Sequence, residues 1–141
     1  MARRVRQWRA WGVALGVVAA GVAAACGGDN TCVSVLGPGQ TLAGTYRVDS
    51  NAVNVINGVG VPGVTGGVLL TDTIYSVTLN IPGFGAVSDS GTYKISCNTI
   101  AETSVLGNPA LVGTFAVSGD TLTVRGTVQG LQQLLILLKQ P

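Results

Sequence analysis

Six carboxylates and three cysteines are the side chains of this 141-residue chain best suited to chemistry, and histidine is absent. Without histidine the commonest general base and metal ligand is missing. Serine and threonine are plentiful, but none sits in a Gly-x-Ser-x-Gly elbow with a base to activate it. Paired carboxylates could hydrolyse a glycoside. Asp49 and Asp120, however, sit in or beside hairpin turns where Asp serves backbone geometry, and Asp72 and Asp89 fall in polar turn contexts. Three cysteines without histidine would make a poor metal site. The stretch Gly58-Val59-Gly60-Val61-Pro62-Gly63 is spaced loosely like a phosphate loop but lacks the lysine and the following helix, and reads as a plain loop. The chain is therefore expected not to be an enzyme, with no catalytic residue, cofactor or metal. One acid stands apart: Glu102 falls on an otherwise apolar strand face, opposite Tyr93.

The elements that would position Glu102 are hairpins. Gly91-Thr92-Tyr93-Lys94-Ile95-Ser96-Cys97-Asn98-Thr99-Ile100 returns as Gly113-Thr114-Phe115-Ala116-Val117-Ser118-Gly119-Asp120-Thr121-Leu122, and more loosely as Gly44-Thr45-Tyr46-Arg47-Val48-Asp49-Ser50-Asn51-Ala52-Val53. Period-two alternation puts Tyr93 and Ile95 on one face and Thr92, Lys94 and Ser96 on the other. With Gly119-Asp120 as a two-residue loop, Ser118 faces Thr121, Val117 faces Leu122 and Phe115 faces Val124. With Cys97-Asn98, Ile95 faces Ile100. With Ser50-Asn51, Val48 faces Val53 and Tyr46 faces Val55.

Composition agrees. Apolar residues make up 47%, aromatics only 5%, and there are 21 glycines, which suits short strands and tight turns rather than helices. Strands are expected at about 44–50, 52–57, 67–71 and 73–81, with a Gly/Pro-rich break over 58–67. The run Leu134-Leu135-Ile136-Leu137-Leu138 reads as a strand covered on both faces, with an amphipathic helix or a membrane contact as alternatives. Successive hairpins with one apolar face must cover that face, and closure removes exposed edges. The fold class is all-β: an up-and-down antiparallel meander closed into a barrel of eight or nine strands, with a two-sheet sandwich as the alternative. The inward set is Tyr46, Val48, Val53, Val55, Tyr75, Val77, Leu79, Ile81, Tyr93, Ile95, Ile100, Phe115, Val117, Leu122 and Val124. Of these Tyr46, Tyr75, Val77, Leu79, Tyr93, Ile95, Phe115, Val117 and Val124, together with Glu102, are expected to line a ligand cavity.

The formal charge of +2 comes from Arg3, Arg4, Arg6 and Arg9. Beyond Cys26 four basic residues oppose six acidic ones, 4 − 6 = −2, and no basic stripe offers itself to nucleic acid. Met1 to Trp11 is a basic n-region, Gly12 to Val22 an apolar run, and Ala23-Ala24-Ala25 a small-residue cleavage site, so residues 1–25 read as a helical secretory signal peptide. That run is too short to span a bilayer, which takes about 20 residues. Arg3-Arg4 raises a twin-arginine route beside general secretion.

Ala23-Ala24-Ala25-Cys26 resembles the lipobox of bacterial lipoproteins. The resemblance implies that Cys26 becomes the lipid-modified first mature residue; the alternative is an ordinary disulfide cysteine. Gly27 after it implies passage to an outer membrane, facing the periplasm. Lipidation would leave Cys32 and Cys97 to pair in an oxidising compartment. Residues 26–40 then form a flexible tether, and 41–141 the barrel.

Together the hairpins, the meander and the lipobox resemble the small lipocalin-like domains of bacterial envelope lipoproteins. Gly44-Thr45-Tyr46 stands where that family opens with Gly-x-Trp, and Lys139 where a basic residue packs over the aromatic. The resemblance implies an envelope-anchored barrel that binds a small apolar molecule or an envelope partner. A structural or inhibitory module acting through its loops is the alternative. An open cavity favours the first and a packed core the second. Arg47, Lys94 and Arg125 all count outward, so a neutral apolar ligand is expected rather than a fatty acid.

Overall fold

A computed structural model describes residues 35–141. The expected signal peptide, Cys26 and Cys32 fall within residues 1–34, outside the described residues. Ten strands make up the rest: β1 (Gly44–Val48), β2 (Asn54–Ile56), β3 (Val59–Val61), β4 (Thr65–Leu70), β5 (Ile74–Ile81), β6 (Gly85–Ser96), β7 (Thr99–Ser104), β8 (Leu111–Ser118), β9 (Thr121–Val128) and β10 (Leu131–Lys139). All pairings are antiparallel. From β4 to β10 each strand pairs with the next, β4 pairs β1, and β1 pairs β10. That last contact closes an eight-stranded barrel, while β2 and β3 form an outer hairpin on the flank of β10. The sandwich alternative is excluded, and the Leu-rich terminal run is the closing strand.

Two of the three expected hairpins have their expected registers. Ile95 pairs Ile100 and Tyr93 pairs Glu102; Val117 pairs Leu122 and Phe115 pairs Val124. Their loops are Cys97-Asn98 and Gly119-Asp120, and Cys97 (φ 61) takes the left-handed backbone that Gly119 (φ 57) takes in its twin.

The first expected hairpin does not form. Tyr46 lies between Lys139 and Val68 rather than opposite Val55, and Val48 pairs Leu137 rather than Val53. Residues 49–53 instead carry the chain from β1 to β2 along the same edge of β10. An Asx turn holds them: Asn51 N–H donates to Asp49 Oδ1 (3.0 Å) and Ala52 N–H to the Asp49 carbonyl (3.2 Å). The wholly buried Asn54 bridges the gap. Its Nδ2 donates to the Asp49 carbonyl (3.2 Å), and its Oδ1 accepts from Ile136 N–H (3.0 Å), a β10 donor that strand pairing would otherwise serve. The real turn is Asn57-Gly58, with φ 52 and φ 80, between paired Ile56 and Val59. Positive φ at both loop residues is the type I′ pattern, which Asn-Gly favours.

Two residues expected inside therefore lie outside. Val53 is 57% exposed, and Val55 faces an outer groove beside Leu134 and Arg125, because Asn54 and Ile56 take the inward positions of β2. The remaining inward residues follow the expected alternation, and Tyr46, Val48, Tyr75, Leu79, Ile81, Tyr93, Ile100, Phe115, Leu122 and Val124 are buried. Glycine allows the closest strand approaches. A Cβ on Gly91 or Gly113 would overlap the carbonyl oxygen of Thr103 or Arg125 on the neighbouring strand.

Candidate functional site

Strand direction assigns each loop to one end of the barrel. One end carries Thr71–Thr73, Cys97-Asn98 and Gly119-Asp120, together with the segment leading into β1. Leu42 is buried there, and Leu36, expected in the tether, packs against the core. Tyr46 Oη donates to the Leu42 carbonyl (2.8 Å), and Tyr93 Oη donates to the Thr71 carbonyl. Lys139 pairs with Tyr46 across β1 and β10, and its side chain reaches over Gly44. Bulky aromatics thus close this end.

The other end carries the turns Asn57-Gly58, Pro82-Gly83-Phe84 and Gln129-Gly130 and the loop Val105–Ala110. No charged residue lies in any of them. Phe84 (79% exposed), Val105 and Leu106 point to solvent there, as do Val59 and Leu131 beside the turns.

Between the two ends lies a cavity of about 280 Å³. Its wall is mainly aliphatic, from Val68, Leu70, Val77, Leu79, Ile81, Ile100, Val124, Val128 and Leu135 among others, and it reaches Asn57, Val87 and Pro109 at the apolar-loop end. Of the cavity residues expected from the sequence, Tyr75, Val77, Leu79, Glu102 and Val124 meet here. Tyr46, Tyr93 and Phe115 pack at the closed end instead, and Ile95 packs against the core. Val117 has the expected inward parity but is 39% exposed, because β8 runs out of the barrel there; it borders a surface pocket with Leu42 and Lys139.

The charged part of the described wall is a carboxyl pair, beside the neutral amides of Asn57 and Gln133. Asp89 was expected in a turn. It lies within the twelve-residue strand β6, on the same inward face as Gly91 and Tyr93 and across from Val77. Tyr75 Oη donates to its Oδ2 (2.6 Å), while Ser104 Oγ (2.6 Å) and Asn108 Nδ2 (3.0 Å) donate to its Oδ1. Burial pushes the Asp89 carboxyl up, but these hydrogen bonds and one from the Ser90 backbone outweigh it and hold the group below its usual range. Burial also raises the Tyr75 phenol, and the hydrogen bond to Asp89 adds to the effect.

Glu102 behaves oppositely. Its carboxyl makes no hydrogen bond to a described residue, and its oxygens remain reachable from the cavity. Burial, and then the charge of Asp89, raise it from 4.5 to about 7. The cavity therefore holds one carboxylate fixed by neutral donors and one free carboxyl that titrates near neutrality. Among the described residues no group of three or more His, Cys, Asp or Glu could hold a metal ion.

No family model, no curated protein and no solved structure matches this chain.

Proposed function

We propose that the protein is a binding barrel that holds a small, mainly apolar molecule in its interior, with the ligand's polar end at Glu102. The cavity is the observation that carries this reading, since a module acting only through its loops would favour a filled interior. Its volume lies near the lower bound of about 300 Å³ for small-molecule sites, and an apolar wall with a few converging polar groups is the usual composition of such sites. The uncharged apolar loops offer such a molecule a route in without crossing a charged rim. Among the described residues no Lys or Arg lines the cavity, which disfavours a fatty acid. In titration calorimetry 1-octanol should bind saturably and octanoate more weakly. Val77→Phe, which pushes a ring into the space, should abolish binding in protein shown to be folded by circular dichroism. If no eight-carbon amphiphile, whether neutral, anionic or cationic, binds the folded wild type, the reading fails.

Export and anchoring through a lipid on Cys26 belong to the same proposal. The basic n-region, the apolar run and Ala23-Ala24-Ala25-Cys26 support them. One acyl chain anchors only marginally and two or more stably, so Cys26→Ser should move the protein to the soluble fraction. Retention in the membrane after a high-salt wash would refute the anchor. A Cys32–Cys97 disulfide is proposed with it. In its support, Cys97 occupies a left-handed turn position where the twin hairpin has Gly, at the end of the barrel where the chain enters β1. Peptide mapping that found both thiols unpaired in the exported protein would remove it.

A further inference from the structure

If the barrel binds a ligand as proposed, the charge on its wall selects the charge of that ligand. The twenty described residues lining the cavity include two acids and no base. Arg47, Lys94 and Arg125 are exposed on the outer surface, and Lys139 lies over Gly44 at the closed end. The donors to Asp89 are a phenol, a hydroxyl, an amide and a backbone N–H, all neutral, so its charge is solvated but not cancelled. Glu102 has neither a donor nor a counter-ion among the described residues. A carboxylate kept in an apolar wall without a partner is costly, and a cation delivered by a ligand removes that cost.

We propose that the cavity takes an amphiphilic amine, a short apolar chain ending in a protonated primary amine seated between Glu102 and Asp89. A primary ammonium can donate to Glu102, which has acceptor sites to spare, while the Asp89 carboxylate, whose acceptor sites are taken by its four neutral donors, attracts the same charge through space. A carboxylate ligand would meet like charge, and an alcohol could hydrogen-bond but not neutralise. Size follows from the volume: at about 30 Å³ per water-sized group, 280 Å³ accommodates about nine non-hydrogen atoms, the number in octylamine.

The titratable groups near Glu102 are Asp89 and Tyr93 on β6 and Tyr75 on β5; β8, its other neighbour, contributes none. Near pH 7 Glu102 passes from neutral acid to carboxylate. Affinity for the amine should therefore rise from pH 5.5 to 8, while affinity for the alcohol should not.

The test compares octylamine, 1-octanol and octanoate by titration calorimetry on the purified protein, on Glu102→Gln and on Lys94→Gln, the last being on the outer face of β6. At pH 8 octylamine should bind at least tenfold more tightly than octanol, and at pH 5.5 that preference should shrink. Glu102→Gln should lose at least tenfold in octylamine affinity, keep octanol within threefold, and lose the pH dependence. Lys94→Gln should change neither. Octanol binding that equals or exceeds that of octylamine at pH 8 overturns the amine assignment and leaves the binding barrel standing. So does an octylamine affinity unaffected by Glu102→Gln. No binding of any of the three to folded protein overturns both.

Discussion

Glu102→Gln should stabilise this protein, and its pH dependence tests the electrostatics of the cavity directly. A carboxyl raised in the folded state binds its proton more tightly there than in the unfolded chain. Glu102 therefore costs no stability below its unfolded value of 4.5, and the penalty grows as pH rises until the folded value of about 7 is passed. The span is 7 − 4.5 = 2.5 units, which at 1.36 kcal/mol each gives an upper value of about 3.4 kcal/mol. Because water reaches the carboxyl through the cavity, about 2 kcal/mol is the better expectation. Asp89 has the opposite sign, its contribution being lost as pH falls through its depressed value. The wild type should thus be most stable near pH 4–5 and weaken toward pH 8. At pH 8 Glu102→Gln should melt about 8 °C higher, taking about 4 °C per kcal/mol for a domain of this size. Thermal unfolding followed by far-ultraviolet circular dichroism at pH 4.5, 6, 7 and 8 gives both curves. Parallel curves for wild type and variant, or a variant less stable at pH 8, would refute the reasoning.

Asp89→Asn should lower the Glu102 pKa, read from the side-chain carboxyl carbon by NMR, because it removes the second cause of the upward shift. An unchanged value would mean that the two groups do not sense each other. Phe115→Ala should cost about 3–5 kcal/mol in urea unfolding, whereas Val117→Asp should cost under about 1 kcal/mol, since Val117 already meets solvent at the barrel end. Comparable losses would place Val117 in the core after all. Asn54→Ala should cost about 1–3 kcal/mol by leaving Ile136 N–H without its acceptor, and hydrogen exchange at that amide should accelerate; unchanged protection there would refute the bridging role.

Much of the barrel was legible because a two-residue period leaves few options. Once Gly119-Asp120 is the loop, Phe115 must meet Val124, and the same counting sets Tyr93 against Glu102. Asp49-Ser50-Asn51 misled because its polar residues satisfy their own backbone in an Asx turn, which resembles a hairpin loop locally but sends the chain onward along β10. The better signal was Asn57-Gly58, hidden in a stretch whose glycines and proline read as a break. Asp89 reads as a turn residue because the repeated hairpin phrase opens only at Gly91. Extended back to the turn at Pro82-Gly83, the alternation through Tyr93 and Gly91 reaches Asp89 on the inner face. Parity could not say how far Val117 sits from the barrel's end, because that depends on the stagger of all the strands together.

The cavity and its acidic wall share one cause in the distribution of bulk. Tyr46, Tyr93 and Phe115 are gathered at the closed end, where both tyrosine hydroxyls are tied to backbone carbonyls. The rest of the interior is left to aliphatic residues, among them Val68, Val77, Val124 and Val128, too small to meet across an eight-stranded barrel. Tyr75 is the exception, and its hydroxyl is held at the wall by Asp89. The Asp89 network thus does two things at once: it keeps a large ring against the side of the barrel, and it supplies the charge that raises Glu102. Had Asp89 been apolar, Tyr75 would lose the acceptor that fixes it, and Glu102 would lose the neighbour that sharpens its response near neutral pH. An acid without a partner is tolerated inside a small barrel because the space beside it was never filled, and that same space is where a ligand can bring the missing charge.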